Sequence, residues 1–278
     1  MISDTAESRR VRVGVAQMTS TPDVATNLEA AERLIRKAYA WGAELLVLPE
    51  CFAYLGPDAG LREVSESLPE GGPILKRCRA LAVELQIELV LGGFWETSET
   101  SGRVHNACVH IQASGDVAAV YRKIHLFDVD LADGTRLQES EFVDPGEETV
   151  VTQTAFGGLG LSICYDLRFP ELYRRLVDAG AIALAVPAAF TLTTGKDHWH
   201  VLLRARAIEG QSYVLAAAQT GHHYGKRVSY GHAMIVDPWG VVVAQCGEGE
   251  QVAVADLDAG RVAEIRKGLP SLRHRRLG

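Results

Sequence analysis

The sequence predicts an α/β fold, a four-layer α-β-β-α sandwich in which two mixed sheets pack face to face between outer helices. Three observations support this prediction. Helix and strand patterns alternate at one end of the chain, hairpin patterns occupy the middle, and one helix–strand pattern occurs twice.

The first third of the chain alternates strands with amphipathic helices. Val11–Met18 alternates as a strand does. Asp23 can cap a helix whose apolar positions recur at helical spacing until Trp41–Gly42. The elements predicted next are a buried strand at Glu44–Leu48, a loop over Ala53–Gly72, a helix from Pro73 through Leu85 and a strand at Ile87–Gly93.

The middle of the chain has the pattern of antiparallel hairpins. Asn106–Ile111 and Val117–Tyr121 flank a turn at Ser114–Asp116. Leu126–Pro145 is predicted to be an acidic loop. A second hairpin, turning at Phe156–Gly158, leads into a short apolar strand.

The last third returns to helices and strands. The predicted elements are a helix at Glu171–Asp178, a strand at Ile182–Val186, a helix at His198–Glu209 capped by Asp197, strands near Tyr213–Ala218, His232–Asp237, Val241–Ala244 and Val252–Asp256, and a helix near Arg261–Lys267.

One segment of the chain is repeated in the second half. Gly42–Ala43 and the apolar run to Pro49–Glu50 align without gaps to Gly180–Ala181 and the apolar run to Pro187–Ala188. Because helix, Gly-Ala, buried strand and proline occur in both copies, two similar layers are expected to face each other. Only the first copy ends in an acid.

Composition limits the classes of function. The formal net charge is -7, which favours solubility and argues against general nucleic-acid binding. The chain has no long uncharged apolar run, and its first ten residues lack the apolar core of a signal peptide, so a cytoplasmic protein without membrane attachment is expected. No linker justifies a domain boundary; a single domain over residues 1–278 is predicted, with a mobile leader at 1–10 and a tail at 268–278.

Cysteine and histidine spacing indicates neither disulfides nor a metal. The cysteines are odd in number and lack paired spacing: Cys51, Cys78, Cys108, Cys164 and Cys246. The close histidine groupings, His198–His200 and His222–His223, lack the spacing of a zinc site. No metal and no other cofactor are expected.

Cys164 is the candidate nucleophile. It follows the apolar strand Gly158–Ile163 and precedes a helix that begins near Phe169 or Pro170. The free N–H groups of a helix N-terminus favour negative charge, so this position predicts a lowered thiol pKa. The alternative interpretation is a small buried hydrophobic residue, which is the ordinary role of a free cysteine.

Two charged residues at strand ends favour the chemical interpretation. Glu50 follows Pro49 at the end of a buried strand, and the carboxyl ends of strands line binding crevices in open α/β sheets. Lys123 ends the strand that starts at Val117, and a lysine near a thiolate can stabilise both the thiolate and an oxyanion. Taken singly, either residue is equally explained as a surface charge.

Three motifs in this order resemble the carbon–nitrogen hydrolase (nitrilase) superfamily. They are Leu-Pro-Glu at 48–50, Arg-Lys-Ile-His-Leu-Phe at 122–127 and Ile-Cys-Tyr-Asp-Leu-Arg-Phe-Pro-Glu at 163–171. The resemblance runs from about Val11 to about Arg276. It implies the same sandwich fold, usually paired into dimers, and a Glu–Lys–Cys triad that carries over onto Glu50, Lys123 and Cys164. A further family glutamate matches Glu139.

The resemblance implies a thiol-dependent amidase. Cys164 would attack the amide carbonyl, Glu50 would act as the base if burial raises its pKa toward neutrality, and Lys123 with the Tyr165 N–H would stabilise the oxyanion. Glu139 would orient Lys123. The residues expected to contact substrate are Tyr165, Arg168, Phe190 and Thr194, with Arg168 either binding a substrate carboxylate or pairing with Glu171 or Asp166.

Other interpretations remain open at this point. They are a Cys–His hydrolase with His125 or another histidine as base, a glutamine amidotransferase, and a scaffold that keeps the fold without activity. The amidotransferase is disfavoured because Cys164 lacks neighbouring glycines.

The substrate expectation rests on resemblance to the Nit-type amidase branch. The loop Gln219–His232 is similar to that of deaminated glutathione amidases, and its Lys226–Arg227 pair is suited to a distal substrate carboxylate. Hydrolysis of deaminated glutathione to 2-oxoglutarate and cysteinylglycine is therefore expected. The alternative is omega-amidase action on 2-oxoglutaramate, or hydrolysis of another carboxylated amide or N-carbamoyl compound. The small-molecule substrate and a second copy of the chain are the expected partners.

Overall fold

A computed structural model describes residues 10–100, 102–130 and 136–277. The strands are β1 (Arg10–Met18), β2 (Leu45–Leu48), β3 (Glu88–Thr97), β4 (Val104–Ile111), β5 (Val117–Arg122), β6 (Asp128–Asp130), β7 (Arg136–Gln138), β8 (Val151–Thr154), β9 (Gly157–Leu161), β10 (Ala181–Ala185), β11 (Tyr213–Ala216), β12 (Ala218–His222), β13 (Val228–Tyr230), β14 (Met234–Val236), β15 (Val242–Gln245) and β16 (Gln251–Asp258). The helices are α1 (Val24–Ala40), α2 (Leu61–Val64), α3 (Pro73–Leu85), α4 (Pro170–Asp178), α5 (Leu192–Gly210) and α6 (Ala259–Gly268).

Two mixed sheets contain most of the strands. The first has the order β13-β12-β1-β2-β3-β4-β5, and β16 pairs antiparallel with β1. The second has the order β15-β14-β11-β10-β9-β8, with β9, β10 and β11 parallel. β6 and β7 form a small separate hairpin.

The two faces of the first sheet contact different layers. In β2, Leu45 and Val47 pack against the second sheet, whereas Leu46 and Leu48 pack against α1 and α3. Successive strand residues point to opposite faces, so a strand that is apolar throughout must be covered on both sides. α4 and α5 cover the second sheet. The predicted four-layer α-β-β-α sandwich is confirmed.

The predicted inner face of α1 is also confirmed. Asp23 caps the helix by accepting a hydrogen bond from the Thr26 N–H at 2.9 Å. The apolar positions expected to face the sheet are all buried: Leu28, Ala31, Leu34, Ile35 and Ala38.

Some element boundaries differ from the predictions. α5 begins at Leu192 rather than His198, so Asp197 lies inside the helix and is not its cap. The predicted strand Tyr213–Ala218 is two strands, because the chain leaves the second sheet after β11 and enters the first as β12. The acidic loop after Leu126 contains the β6–β7 hairpin.

The chain ends depart from the predictions as well. Arg10, expected in the mobile leader, begins β1; the rest of that leader lies outside the described residues. In the tail, Arg275 forms an ion pair with Asp178 of α4 in the same chain. No helix within the described ranges is both long and apolar enough to cross a membrane.

The two copies of the repeated pattern meet between the sheets. β2 and β10 occupy different sheets, and the prolines that follow them are Pro49 and Pro187. A Cβ placed on Gly92 would lie 2.1 Å from the Cβ of Pro187, so the sheets approach too closely there for a larger residue. This close contact brings the ends of strands from both sheets into one region.

Candidate active site

One cavity lies at this meeting of strand ends. It encloses about 860 Å³ of non-protein space, including its open mouth. The sequence-predicted site residues all line it: Glu50, Lys123, Glu139, Cys164, Tyr165, Arg168, Phe190 and Thr194.

Glu50 follows β2 and is 4% exposed. Pro49 ends the strand, and the next residue, Cys51, has a positive φ of 59°, so the chain turns away directly after the carboxylate. Its Oε2 accepts the Ala189 N–H at 2.8 Å, and its Oε1 accepts from Lys123 Nζ at 3.1 Å. Glu50 is therefore held in one orientation by groups from both sheets.

Lys123 follows β5 and is 2% exposed. Besides Glu50, its Nζ donates to Glu139 Oε2 at 2.7 Å and to Glu139 Oε1 at 3.0 Å. A buried ammonium needs such partners, because an unpaired buried charge is strongly destabilising. Lys123 is not the surface lysine that the alternative interpretation allowed.

Glu139 begins a 3₁₀ turn that directly follows β7. Its Oε2 also accepts the Phe127 N–H at 2.7 Å. The surrounding sequence is acidic, yet this carboxylate faces the cavity and binds Lys123 rather than lying in solvent.

Cys164 lies at the start of a short 3₁₀ helix between β9 and α4. Its φ of 45° is unusual for a residue with a side chain and marks a sharp turn. The Cys164 N–H donates to the Pro187 carbonyl at 2.9 Å. The thiol and the Glu50 carboxylate line the same cavity and interact electrostatically, so nucleophile and carboxylate are neighbours.

The pKa of Cys164 is raised, which contradicts the predicted lowering. Burial is the main cause, followed by the Glu50 carboxylate, and Lys123 only partly opposes them. The expected helix N-terminus is not at the thiol, because α4 begins six residues later at Pro170. The resting nucleophile is therefore a thiol.

The pKa of Glu50 is lowered, again opposite to expectation. Burial alone would raise it, but Lys123, the Cys164 thiol and the Ala189 N–H together outweigh burial. For Lys123, burial alone would lower the pKa, but Glu139 and Glu50 hold it well above its ordinary value. The resting cluster is a carboxylate, an ammonium and a neutral thiol.

His125 has a different environment. Its Nδ1 lies 2.7 Å from Asp166 Oδ1, and its ring stacks on Phe169 with centroids 3.7 Å apart. It is not among the residues that line the cavity. The Cys–His interpretation therefore has no geometric support.

Sequence reasoning missed Asn106 and the backbone donors. Asn106 Nδ2 lies 3.0 Å from Glu50 Oε1 and 3.1 Å from Glu139 Oε1. The Asn106 backbone carbonyl accepts the Lys123 backbone N–H at 2.8 Å. A single asparagine thus contacts both carboxylates and the lysine backbone. The only signal in the sequence was an amide residue at the start of an apolar strand.

The residues expected to bind substrate form one side of the cavity. The Arg168 guanidinium lies over the rings of Phe190 at 5.2 Å and Tyr165 at 5.9 Å, and its Nη1 is 3.2 Å from His198 Nδ1. Thr194 shares a hydrogen bond with Thr191. Within the described ranges Arg168 forms no ion pair, so pairing with Glu171 or Asp166 is not observed.

The predicted Lys226–Arg227 pair is divided by the structure. Arg227 lines the cavity, whereas Lys226 is exposed and does not.

As for metals, the part of the chain that the structure describes contains no group of three or more His, Cys, Asp or Glu residues suited to hold an ion.

A buried thiol beside a carboxylate and an ammonium is an arrangement suited to covalent acyl transfer, because a neighbouring base can activate the nucleophile. Together with a two-sheet sandwich it defines a class, the thiol hydrolases of carbon–nitrogen bonds. The sequence profile of the carbon–nitrogen hydrolase family matches residues 12–267. The chain belongs to this family and is, as such, a hydrolase of carbon–nitrogen bonds.

Three relatives illustrate the similarity. The chain is 47% identical over 262 residues to a deaminated glutathione amidase of Synechocystis sp., covering 93% of this chain and 96% of that one. It is 46% identical over 270 residues to a deaminated glutathione amidase of Homo sapiens, covering 95% and 82%. The crystal structure of the C. elegans NitFhit protein superposes with a TM-score of 0.91 at 43% identity, covering 97% of this chain but only 66% of that chain.

Proposed function

We propose that this chain is a thiol-dependent amidase that hydrolyses deaminated glutathione to 2-oxoglutarate and cysteinylglycine. The chemical part of the proposal rests on one observation: Cys164 lines the same cavity as the buried ion pair in which Lys123 Nζ lies 3.1 Å from Glu50 Oε1. The substrate part is supported by the relatives, which are named for this activity.

In the first half of the reaction, Glu50 takes the proton of Cys164 as sulfur attacks the amide carbonyl. A carbon–sulfur bond forms, and the carbonyl oxygen becomes an oxyanion. The carboxylic acid of Glu50 then gives the proton to the departing nitrogen, the carbon–nitrogen bond breaks, and a thioester remains. Because the resting state is a thiol with a carboxylate, proton transfer accompanies attack rather than preceding it.

The oxyanion needs donors that are already oriented. Lys123 supplies a buried positive charge, and the Tyr165 N–H lies in the first turn of the 3₁₀ helix, where an amide has no intrahelical acceptor. Removing one such donor typically costs on the order of a hundredfold in rate. Glu139 holds Lys123 in place through two hydrogen bonds.

In the second half, water attacks the thioester with Glu50 as the base. Its proton passes to Glu50 and from there to the departing sulfur, which restores the thiol and releases 2-oxoglutarate. Arg168 is suited to the carboxylate of the acyl half because its guanidinium faces the cavity without an ion-pair partner among the described residues. Phe190 and Tyr165 would flank the acyl chain, and Thr194 would offer a hydroxyl.

Omega-amidase action on 2-oxoglutaramate is the second candidate, because that substrate has the same acyl half and would use Arg168 in the same way. Other carboxylated amides and N-carbamoyl compounds are further members of the class. The inactive scaffold is the remaining alternative.

The test compares kcat/KM for deaminated glutathione and 2-oxoglutaramate by release of cysteinylglycine or ammonia. We expect a clear preference for deaminated glutathione, no turnover by Cys164→Ala with unchanged circular dichroism, and an acyl adduct on Cys164 in the wild type by intact mass. A preference for 2-oxoglutaramate would reassign the substrate. Substantial activity in Cys164→Ala would exclude the thiol mechanism.

We also propose a homodimer or larger assembly. Apolar side chains are exposed on α5 and on the neighbouring β14–β15 hairpin: Val201, Ile208, Trp239, Val241 and Val243. The two elements adjoin, since Arg204 Nε donates to the Gly240 carbonyl at 2.7 Å. Large apolar side chains exposed together on adjoining elements are typical of an interface.

Light scattering tests the assembly. At micromolar concentration the wild type should have at least twice the chain mass, and Val201→Glu should shift it toward the monomer. Val83→Glu is the matched control, because Val83 is similarly exposed on α3 in the opposite outer layer. A wild-type monomer would contradict the proposal.

Two further assignments complete the proposal. The chain acts in the cytoplasm and needs no cofactor. The cytoplasmic assignment is supported by five free, buried cysteines, and cell fractionation with an activity assay tests it. Residues 1–278 form a single domain, since β1 near the start pairs with β16 near the end. A single cooperative unfolding transition is the expected result.

A further inference from the structure

Arg227 lines the cavity from the turn between β12 and β13. The turn is closed by two backbone hydrogen bonds: the Arg227 N–H donates to the Tyr224 carbonyl at 2.8 Å, and the His223 N–H donates to the Arg227 carbonyl at 3.0 Å. The backbone that presents this guanidinium is therefore well defined.

The same turn is anchored to the body of the protein by His223. This side chain is buried, with Nδ1 2.8 Å from the Ser20 carbonyl and Nε2 2.9 Å from Ser229 Oγ. Burial lowers the pKa of His223 to about 4, so it stays neutral at physiological pH. An anchor of this kind pre-organises Arg227, which reduces the entropy lost when a ligand binds.

The guanidinium of Arg227 lacks an anionic partner. It forms no ion pair among the residues that the structure describes, and its Nε is buried with no hydrogen-bond acceptor. A buried donor without an acceptor is costly, so an anionic oxygen from a ligand would be favoured there. Asp58 also lines the cavity, but it lies beyond ion-pair distance of Arg227.

Arg227 and Arg168 occupy different parts of the cavity wall. Arg168 is packed against Phe190 and Tyr165, near the thiol. Arg227 lies by the segment after β2, where it influences the pKa values of Cys51 and Asp58. The cavity therefore has two separate guanidinium groups.

We propose that Arg227 binds a carboxylate on the leaving group, so that the enzyme selects amides with a carboxylate on each side of the scissile bond. The inference deepens the proposed function and rests on it: Arg168 would bind the 2-oxo acid and Arg227 the C-terminal carboxylate of the released dipeptide. A guanidinium and a carboxylate can form two parallel hydrogen bonds, which gives orientation as well as affinity.

The test compares deaminated glutathione with its C-terminal carboxamide, which has the same size but no charge at that end. The wild type should prefer the acid by about 10- to 100-fold in kcat/KM, chiefly through KM. Arg227→Gln should bring this ratio close to one, and Arg227→Lys should recover part of it. Lys226→Gln, which removes the neighbouring exposed charge, should keep the wild-type ratio.

The inference is wrong if Arg227→Gln slows both compounds equally or leaves the ratio unchanged. Failure of the proposed function has a different result, namely no turnover of deaminated glutathione by the wild type. In that case calorimetric binding of cysteinylglycine and its C-terminal amide decides on Arg227. The subsite is supported if the wild type binds cysteinylglycine more tightly than its C-terminal amide and Arg227→Gln does not. It is excluded if the wild type binds the two compounds equally.

Discussion

Replacing Lys123 by methionine should destabilise the protein in a pH-dependent way. Lys123 Nζ lies 2.7 Å from Glu139 Oε2 and 3.1 Å from Glu50 Oε1, and its side chain is almost fully buried. Removing one partner of a buried ion pair costs about 3–5 kcal/mol, because a buried charge is left uncompensated. We expect Lys123→Met to lose about that much free energy of unfolding at pH 7.5.

The loss should shrink as the pH falls. Without Lys123, burial and the neighbouring Glu139 carboxylate raise the pKa of Glu50, so the folded variant binds a proton that the unfolded chain does not. A raised folded pKa contributes stability that is present at low pH and lost as the pH rises. One proton corresponds to about 1.4 kcal/mol per pH unit, so the deficit should fall by about 3 kcal/mol between pH 7.5 and 5.5.

The wild type should respond in the opposite direction. The lowered pKa of Glu50 contributes stability above the pKa of an unfolded glutamate, and this stability is lost as the pH falls through the folded value. The wild type should therefore lose this stability only below about pH 4.5, whereas between pH 7.5 and 5.5 the change should be confined to the variant.

The assay is urea unfolding followed by circular dichroism at pH 7.5, 6.5 and 5.5. Lys123→Met/Glu139→Gln removes one of the two carboxylates and should regain part of the stability and lose part of the pH dependence. Lys76→Met, at an exposed position of α3, is the control and should change the free energy of unfolding by less than about 0.5 kcal/mol. A small or pH-independent deficit in Lys123→Met would refute the reasoning.

Three further predictions concern the site and its frame. Glu50→Gln should lower kcat by about 10²- to 10⁴-fold as general-base loss does, whereas His125→Ala should stay within about tenfold; the reverse order in steady-state assays would favour a Cys–His enzyme. Asn106→Leu removes a donor to Glu50, so kcat should fall about 10- to 100-fold and the acid limb of the pH–rate profile should move to higher pH; an unshifted limb would assign Asn106 a merely structural role. Gly92→Ala should cost about 1–3 kcal/mol in urea unfolding because its Cβ would lie 2.1 Å from Pro187, and full stability would contradict that close approach.

The sequence predicted those features that depend on local pattern. β2 is apolar throughout and ends in Pro49, so both the buried strand and the terminal position of Glu50 follow from neighbouring residues. The α1 pattern and its Asp23 cap are local in the same sense. The family motifs then connected Glu50, Lys123 and Cys164, which lie far apart in the chain.

Features that depend on tertiary packing were not predictable in this way. The start of α5 contains Thr193, Thr194 and Gly195, residues of low helix propensity, whereas the sequence predicts a helix only from His198. In the structure Gly195 is buried and a Cβ there would lie 2.3 Å from the Cβ of Tyr230. Packing against β13 therefore fixes this turn of helix and selects its glycine.

The pKa of Cys164 is a second example. Its neighbours in sequence indicated a helix N-terminus, but its actual environment is set by burial and by Glu50, which is 114 positions away. The Ala189 N–H that binds Glu50 is a backbone donor and leaves no trace in residue identity. Electrostatic predictions from sequence fail where the charges come from distant segments.

The hydrogen bond from Ala189 to Glu50 also makes one amide proton a reporter of charge. Exchange of this proton with deuterium requires its hydrogen bond to open, and a protonated glutamate is a weaker acceptor than a carboxylate. The adjacent Ala188 N–H donates to the Ala217 carbonyl at 2.9 Å, so its exchange does not depend directly on whether Glu50 is protonated. The ratio of the two protection factors across pH would measure the ionisation of Glu50 in the resting enzyme, without substrate and without mutation.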